Sequence, residues 1–311
     1  MLSRVADTIY WLGRYMERTN GMLQAIRTQY ISSQDEANEF VWRPLLKIYG
    51  DLDEKETIAI EKNSPKVLEY MIFSPVNSAS VYNNVMQSRE NARSIQDHIT
   101  KEVWQCLNDY YHFIRNEDLA KQIHFGDPIS AIDLLITNGL LFTGTVDNTM
   151  TRGEGFTYLN IGKFLERAIH SADTTRIKMM KLSKTKHDAA EAADLRYLLY
   201  SLFGFEVYLK TYKGNFTTEN VLELILYNAD FPHSILYSLE RLYKYFERLR
   251  SESLHESYEE LEFLIGKTMN NIKYSNVHEG DLKNVDEFLF NTRMELFGIA
   301  AAFSKHYFGN T

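Results

Sequence analysis

Apolar residues recur three and four positions apart along almost the whole chain, and no cleanly alternating stretch is bounded by the Asn-Gly or Asp-Gly turns of hairpins. A period near 3.6 gathers side chains on one face of a helix, whereas a strand needs a period of two. The pattern predicts helices near 2–32, 79–114, 129–146, 155–181, 190–212, 217–228, 232–250, 256–273 and 281–308, with breaks near 51–64 and 115–128 among others. Pro65, Pro75, Pro128 and Pro232 fall where helices can begin or end, and Pro44 interrupts a shorter, less regular segment. The expected fold class is all-α, a helical bundle.

Two of these helices carry the same pattern. The first places Val5, Ile9, Leu12, Met16, Thr19, Leu23, Ile26 and Tyr30 on one face. A shift of 149 positions lays Ile9, Leu12, Met16, Leu23 and Tyr30 on Tyr158, Ile161, Leu165, Ala172 and Met179. The same shift carries Gly13, Arg14, Tyr15, Glu17, Arg18 and Arg27 onto Gly162, Lys163, Phe164, Glu166, Arg167 and Arg176. A second block, "VLEYMIFSPVNSASV" at 67–81, aligns without gaps to "VLELILYNADFPHSI" at 221–235. Two matched blocks in one order imply an internal duplication, with repeats of about 1–148 and 149–311 in a single domain spanning 1–311 and a pseudo-two-fold relation between them.

Glu17 and Arg18 lie opposite the Ile9–Tyr30 stripe, a side that in a surface helix would be solvated. That side also carries Tyr10, Trp11 and Tyr15, and Gly13 lets a neighbouring backbone approach. Burial on most sides follows, and a buried charge needs a partner because its desolvation costs several kcal/mol. A symmetric packing would pair Glu17 with Arg167 or Arg152, and Glu166 with Arg18 or Arg14. An internal ion-pair network and a shared ligand site both fit this pattern.

Composition narrows the function. A net charge of −8 in mixed-sign segments gives no electrostatic basis for binding nucleic acid. The first eighteen residues are amphipathic and charged throughout, without the apolar run of a signal peptide, so the expected compartment is cytoplasmic. The most apolar stretch, at 131–146, is too short for a hydrocarbon layer of about 30 Å, so no membrane span is expected. The single cysteine, Cys106, falls in the stripe Ile99, Val103, Cys106, Tyr110, Phe113 and reads as a core thiol.

Several chemistries find no support. "RGEGFTY" at 152–158 lacks the third glycine and the preceding strand of a dinucleotide site. The Glu-x-x-His expected twice in a di-iron bundle occurs once, at Glu252–His255, in a Ser-rich break, so no metal and no cofactor are expected. No G-x-S-x-G elbow exists, and the catalytic residues are unknown. Acid–base work by Glu17 or Glu166 stays open, opposed by the adjacent arginine. Arg89 and Arg93, one turn apart, can clamp a phosphate or carboxylate or can pair within their own helix.

The twice-occurring Gly-x-x-x-Glu-Arg helix, with "SRENARSIQDHITKEVWQCLN" at 88–108 and "TRGEGFTYLNIGKFLERA" at 151–168, resembles the Alpha-E family over nearly the whole chain. The resemblance implies a helical domain in tandem duplication, of uncharacterised activity. It also implies a setting in peptide synthesis or modification, with an ATP-grasp ligase, a transglutaminase-like protein and an NTN-hydrolase peptidase. By position it marks Glu17, Arg18, Arg89, Glu90, Asn91, Arg93, Arg152, Glu154, Glu166 and Arg167, to which the symmetric packing adds Arg14. It reaches "DFPHS" at 230–234, where the family pattern leads one to expect arginine in place of His233; a helix start capped by Asp230 is the competing account. The expected function is an accessory component that binds a peptide, an anionic small molecule or a ligase partner. The alternative is an enzyme using the Glu-Arg pairs and the arginines for acid–base or anion-binding chemistry.

Overall fold

In the computed structural model, residues 1–34, 42–182, 188–214, 216–250, 255–277 and 282–309 are described, and all regular structure among them is helical. Helix α1 (Ser3–Ser32) forms where the first stripe places it. Its residues from Ile9 to Thr28 are mostly buried on every side, the pattern of a helix enclosed by others rather than lying on a surface. The chain falls into two compact units, one of Tyr15–Arg152 and one of Met1–Arg14 with Gly153–Thr311, so α1 contributes to both.

In the Tyr15–Arg152 unit, three short helices follow, α2 (Arg43–Tyr49), α3 (Glu54–Ile60) and α4 (Ser64–Leu68), the last running into a wider turn at 69–73. Then come α5 (Val81–Ser94), α6 (Lys101–Ile114), α7 (Glu117–Phe125) and α8 (Pro128–Thr149). Helix α6 packs on α5 and α8, and α7 packs on α8. The Tyr110 hydroxyl donates to the Leu135 carbonyl at 2.9 Å, tying α6 to α8. Gly139 lets α1 approach α8, since a Cβ there would lie 1.7 Å from Asn20 Oδ1. Cys106 is buried, and burial raises its thiol pKa against a lowering hydrogen bond from Thr145, as suits a core thiol.

Three expectations change here. The single helix expected over 79–114 is two, because Ile95 leaves helical geometry and the Thr100 hydroxyl accepts from Val103 N–H to start a new helix. The expected break at 115–128 holds α7, started by Asn116 with Glu117 and Asp118 in its first turn. The break at 51–64 holds α3, entered through a reciprocal Asp53–Glu56 capping box. Helix α8 also outruns the 131–146 segment. Among the described residues it is the one helix long and apolar enough to cross a membrane, a test that core helices also pass, and 39% of its most apolar window is buried.

The second unit is built around α9 (Glu154–Leu182), buried along nearly its whole length. It continues with α10 (Asp188–Ser201), α11 (Phe205–Tyr212), α12 (Thr218–Tyr227), α13 (Ile235–Phe246), α14 (His255–Lys273) and α15 (Leu282–His306). Helix α9 packs on α13, α15 and α10, while α14 bridges α13 and α15. An aromatic cluster fills one end, with Tyr10 5.0 Å from Phe308 and Phe246 stacked 4.5 Å from Tyr258, ring centre to ring centre. The helix expected over 190–212 breaks at Phe203, which takes a positive φ of 55°, followed by Gly204. The start of α13 is capped by Ser234, whose hydroxyl accepts from Tyr237 N–H, and not by Asp230. Glu252 lies outside the described residues, as does the His255 side chain.

Certain devices of one unit have counterparts in the other. Asn63 and Thr217 cap α4 and α12, and Ser80 and Ser234 cap α5 and α13. Arg27 Nε meets Asp133 on α8 at 2.5 Å, and Arg176 Nε meets Asp286 on α15 at 2.8 Å.

Candidate functional site

The second unit brings the start of α1 onto α9 through two glycines. A Cβ on Gly13 would lie 2.1 Å from the Leu159 carbonyl oxygen, and one on Gly162 would lie 2.2 Å from that of Tyr10. The two contacts are reciprocal: each glycine receives the backbone three residues before the other. Backbones this close leave no room for water, and the side chains beside the crossing are forced to satisfy one another.

Arg14 and Glu166 do so. The Arg14 Nε donates to Glu166 Oε2 at 2.7 Å, with both side chains below a tenth exposed. The guanidinium lies 4.6 Å from the Trp11 ring centre, and Nη1 reaches the Tyr10 hydroxyl at 3.5 Å. Burial works against the Arg14 charge, but the Glu166 carboxylate and Tyr10 outweigh it and hold the guanidinium pKa above its usual range. Arg14, one of the two partners expected for Glu166, meets it here.

Arg167 is engaged within this unit as well. Its Nη1 donates to the Pro232 carbonyl at 3.3 Å, and its guanidinium lies 5.2 Å from the Phe164 ring centre. Ser171 donates to the next carbonyl, that of His233, at 2.8 Å. Burial, then the positive charges of Arg167, His170 and Lys163, push the His233 pKa well below 6.5, and its Nδ1 is buried without a hydrogen bond. Glu154, in the first turn of α9, is exposed and pairs with the main-chain amine of Met1 at 2.8 Å.

The other unit assembles a second group. Arg89 Nε donates to Asn108 Oδ1 at 2.9 Å, and its guanidinium lies 4.7 Å and 5.4 Å from the Tyr111 and Trp104 ring centres. Arg89 Nη1 and Arg93 Nη2 then take the two oxygens of one carboxylate, Glu90, at 2.9 and 2.7 Å. Arg93 pairs with Glu90, and Asp97, which a continuous helix would have set one turn further on, lies beyond the end of α5. Asn91 beside them is half-buried, its carbonyl accepting from Ser94. Arg152 is used locally, donating to the carbonyls of Met150 and Asp147 at the end of α8. Glu17 is buried on α1, and Arg18 is half-buried with its guanidinium 5.9 Å from the Tyr15 ring centre.

Sequence reasoning missed two charged groups of α9. Asp173 meets Arg293 of α15 at 2.7 Å, and burial raises its pKa against that pairing. Lys178 is buried, which lowers its pKa to about 8, near an Asp194 that pairs with Lys181 at 2.7 Å. The repeat gave no signal for either, because Asp173 and Lys178 fall opposite Gln24 and Gln29.

Glu166 is enclosed as an acceptor for Arg14, and the Arg89–Glu90–Arg93 group is an anion clamp whose anion is a side chain of the same helix. Uncharacterised proteins of Mycobacterium bovis and of two Mycobacterium tuberculosis strains are 26% identical to this chain over 261 residues, covering 77% of it. The chain spans only 29% of the length of those relatives. No solved structure gives a significant match. A family described as a predicted alpha-helical domain with a conserved ER motif matches residues 1–308, which include both Gly-x-x-x-Glu-Arg stretches. With its helices and its two Gly-x-x-x-Glu-Arg stretches, the chain belongs to the Alpha-E family.

Proposed function

We propose that this chain is a non-catalytic helical module that acts with a partner protein. The observation that carries the reading is the enclosed Arg14–Glu166 pair, in which the glutamate of a Glu-Arg motif is spent on an internal arginine instead of facing a substrate. The relatives supply a second support, since the matched region makes up under a third of each. The family resemblance suggests the setting of peptide synthesis or modification, with an ATP-grasp ligase or a transglutaminase-like protein as partner. Affinity capture with the full chain as bait, followed by mass spectrometry, tests it. Recovery of such a ligase supports the reading, and recovery of no protein overturns it.

The enzyme reading draws on the Arg89–Glu90–Arg93 group, where an incoming phosphate or carboxylate can replace Glu90. We also read the chain as an internal duplication. The matched caps, the matched Arg-Asp pairs and the reciprocal glycine crossing support that reading. Helix α8 is read here as a packing helix of a cytoplasmic protein, because its inner face holds Ala131, Ile132 and Leu135 in the core and Asp133 engages Arg27.

A further inference from the structure

Helices α3, α4 and α7 of the Tyr15–Arg152 unit enclose a cleft of about 590 Å³, a volume typical of small-molecule and peptide-end sites. Leu52, Ile60, Pro65 and Pro75 give it an apolar lining. Tyr70 forms a fixed wall. Its ring edge sits against Gly50, where a Cβ would come within 3.0 Å of Cε1, and its hydroxyl accepts from Asp51 N–H at 3.1 Å.

The wall has a sign. Burial raises the Tyr70 pKa, the Asp51 N–H opposes this, and the charges acting on the hydroxyl are the carboxylates of Asp51 and Glu56, with no cation among them. Glu56 is held in place by accepting from Asp53 N–H at 3.0 Å through one oxygen, which leaves the other for a ligand. Of the basic groups lining the cleft, His124 is engaged by Glu69 at 2.6 Å, and Lys66, like Glu56, is exposed to solvent. Next to the lining residues Pro75 and His124, Val76 is 85% exposed and Phe125 is 90% exposed, apolar surface that a ligand longer than the cleft would cover.

We propose that this cleft binds an aliphatic ammonium, with the alkyl part against Leu52, Ile60, Pro65 and Pro75 and the charged end at Glu56 and the Tyr70 hydroxyl. A peptide N-terminus and a free alkylamine share this chemistry. The inference does not rest on the partner-protein reading, and either can fail alone.

Calorimetric titration of the full chain tests it with four probes: hexylammonium, Leu-Ala-Ala amide, the same tripeptide acetylated at its N-terminus, and hexanoate. Binding of the amine probes at least tenfold tighter than the acetylated peptide and hexanoate is expected. Preference for the tripeptide over hexylammonium identifies a peptide end as the source, and the reverse a free amine. Glu56→Gln, which keeps the acceptor for Asp53, should weaken the amine probes roughly two- to fivefold with an unchanged melting temperature. Leu52→Trp, which fills the cleft, should abolish binding. Equal binding of the acetylated peptide, no effect of Glu56→Gln, or no binding of either amine would overturn the proposal.

Discussion

Arg14 and Arg89 both meet a glutamate and both lie over aromatic rings, yet they sit in opposite dielectric settings. Arg14 and Glu166 are enclosed beside a crossing of two backbones, on helices far apart in sequence. Arg89 shares its glutamate with Arg93 on a single helix, and Arg93 is 63% exposed. In the first case the charges depend on each other, because burial has taken away the water that would otherwise solvate them. In the second, water or a ligand can replace either partner at small cost. The same residue types therefore read as architecture in one place and as an exchangeable contact in the other.

Removing one partner of the enclosed pair should produce the largest effect. Glu166→Ala strands a buried guanidinium and should cost about 3–5 kcal/mol in urea unfolding. The double variant with Arg14→Ala should cost less than the sum of the single changes. Strict additivity would show that the two groups do not depend on each other and would remove the contrast with Arg89.

Enclosure itself comes from the glycines, which gives the next largest effect. Gly162→Ala places a Cβ against the Tyr10 carbonyl, a backbone atom that cannot rotate away, and should cost about 2–3 kcal/mol. Gly144→Ala on α8 meets nothing within 4 Å and should be neutral or stabilising by up to about 1 kcal/mol. Equal effects at the two sites would mean that the crossing is looser than its geometry implies.

How far these features were legible in sequence depends on the range of the forces behind them. Long helices announce themselves because many turns repeat one apolar period, as in the stripe from Val5 to Tyr30. Short ones do not: α3 and α7 offer only about two turns each, and their start signals, Asp53 with Glu56 and Asn116, lie inside polar stretches that also read as breaks. The break between α5 and α6 was hidden because Ile95 and Ile99 continue the period across a Thr100 cap. At α13, Pro232 drew the helix start to Asp230, while Ser234 holds the cap. Arg14 was among the expected partners of Glu166 through symmetry alone. The partnership of Asp173 with Arg293 was invisible, since only folding brings α15 to that face of α9.

One residue beyond Glu166, helix α9 gives a milder, pH-dependent comparison. The His233 pKa is depressed by burial and then by Arg167, His170 and Lys163, so the folded protein binds its proton less readily than the unfolded chain does. A depressed folded pKa contributes stability above the unfolded value of 6.5 that is lost as pH falls through the range below it. The loss for one such group is at most about 1.4 kcal/mol per pH unit. Urea unfolding at pH 7.5 and 5.5 should show stability declining, and His233→Gln should flatten that decline. An unchanged slope would mean that His233 takes its proton freely in the folded state, and that the loop before α13 is as open to water as Arg93.

The smallest effects are expected at the exposed clamp, and they decide whether it is a site at all. Arg93→Ala removes a mostly solvated partner of Glu90 and should cost under about 1 kcal/mol. Arg89→Ala also loses packing on Trp104 and Tyr111 and should cost somewhat more, about 1–2 kcal/mol. If the pair serves an anion, inorganic phosphate should raise the melting temperature of the parent protein and not that of the Arg89→Ala, Arg93→Ala double variant. Glu90→Gln should increase the phosphate effect, because it removes the carboxylate that fills the clamp while keeping a side chain of the same shape. Phosphate responses that are equal in all three proteins would assign the group to the helix surface, and Arg89 would then differ from Arg14 only in being a structural arginine nearer to water.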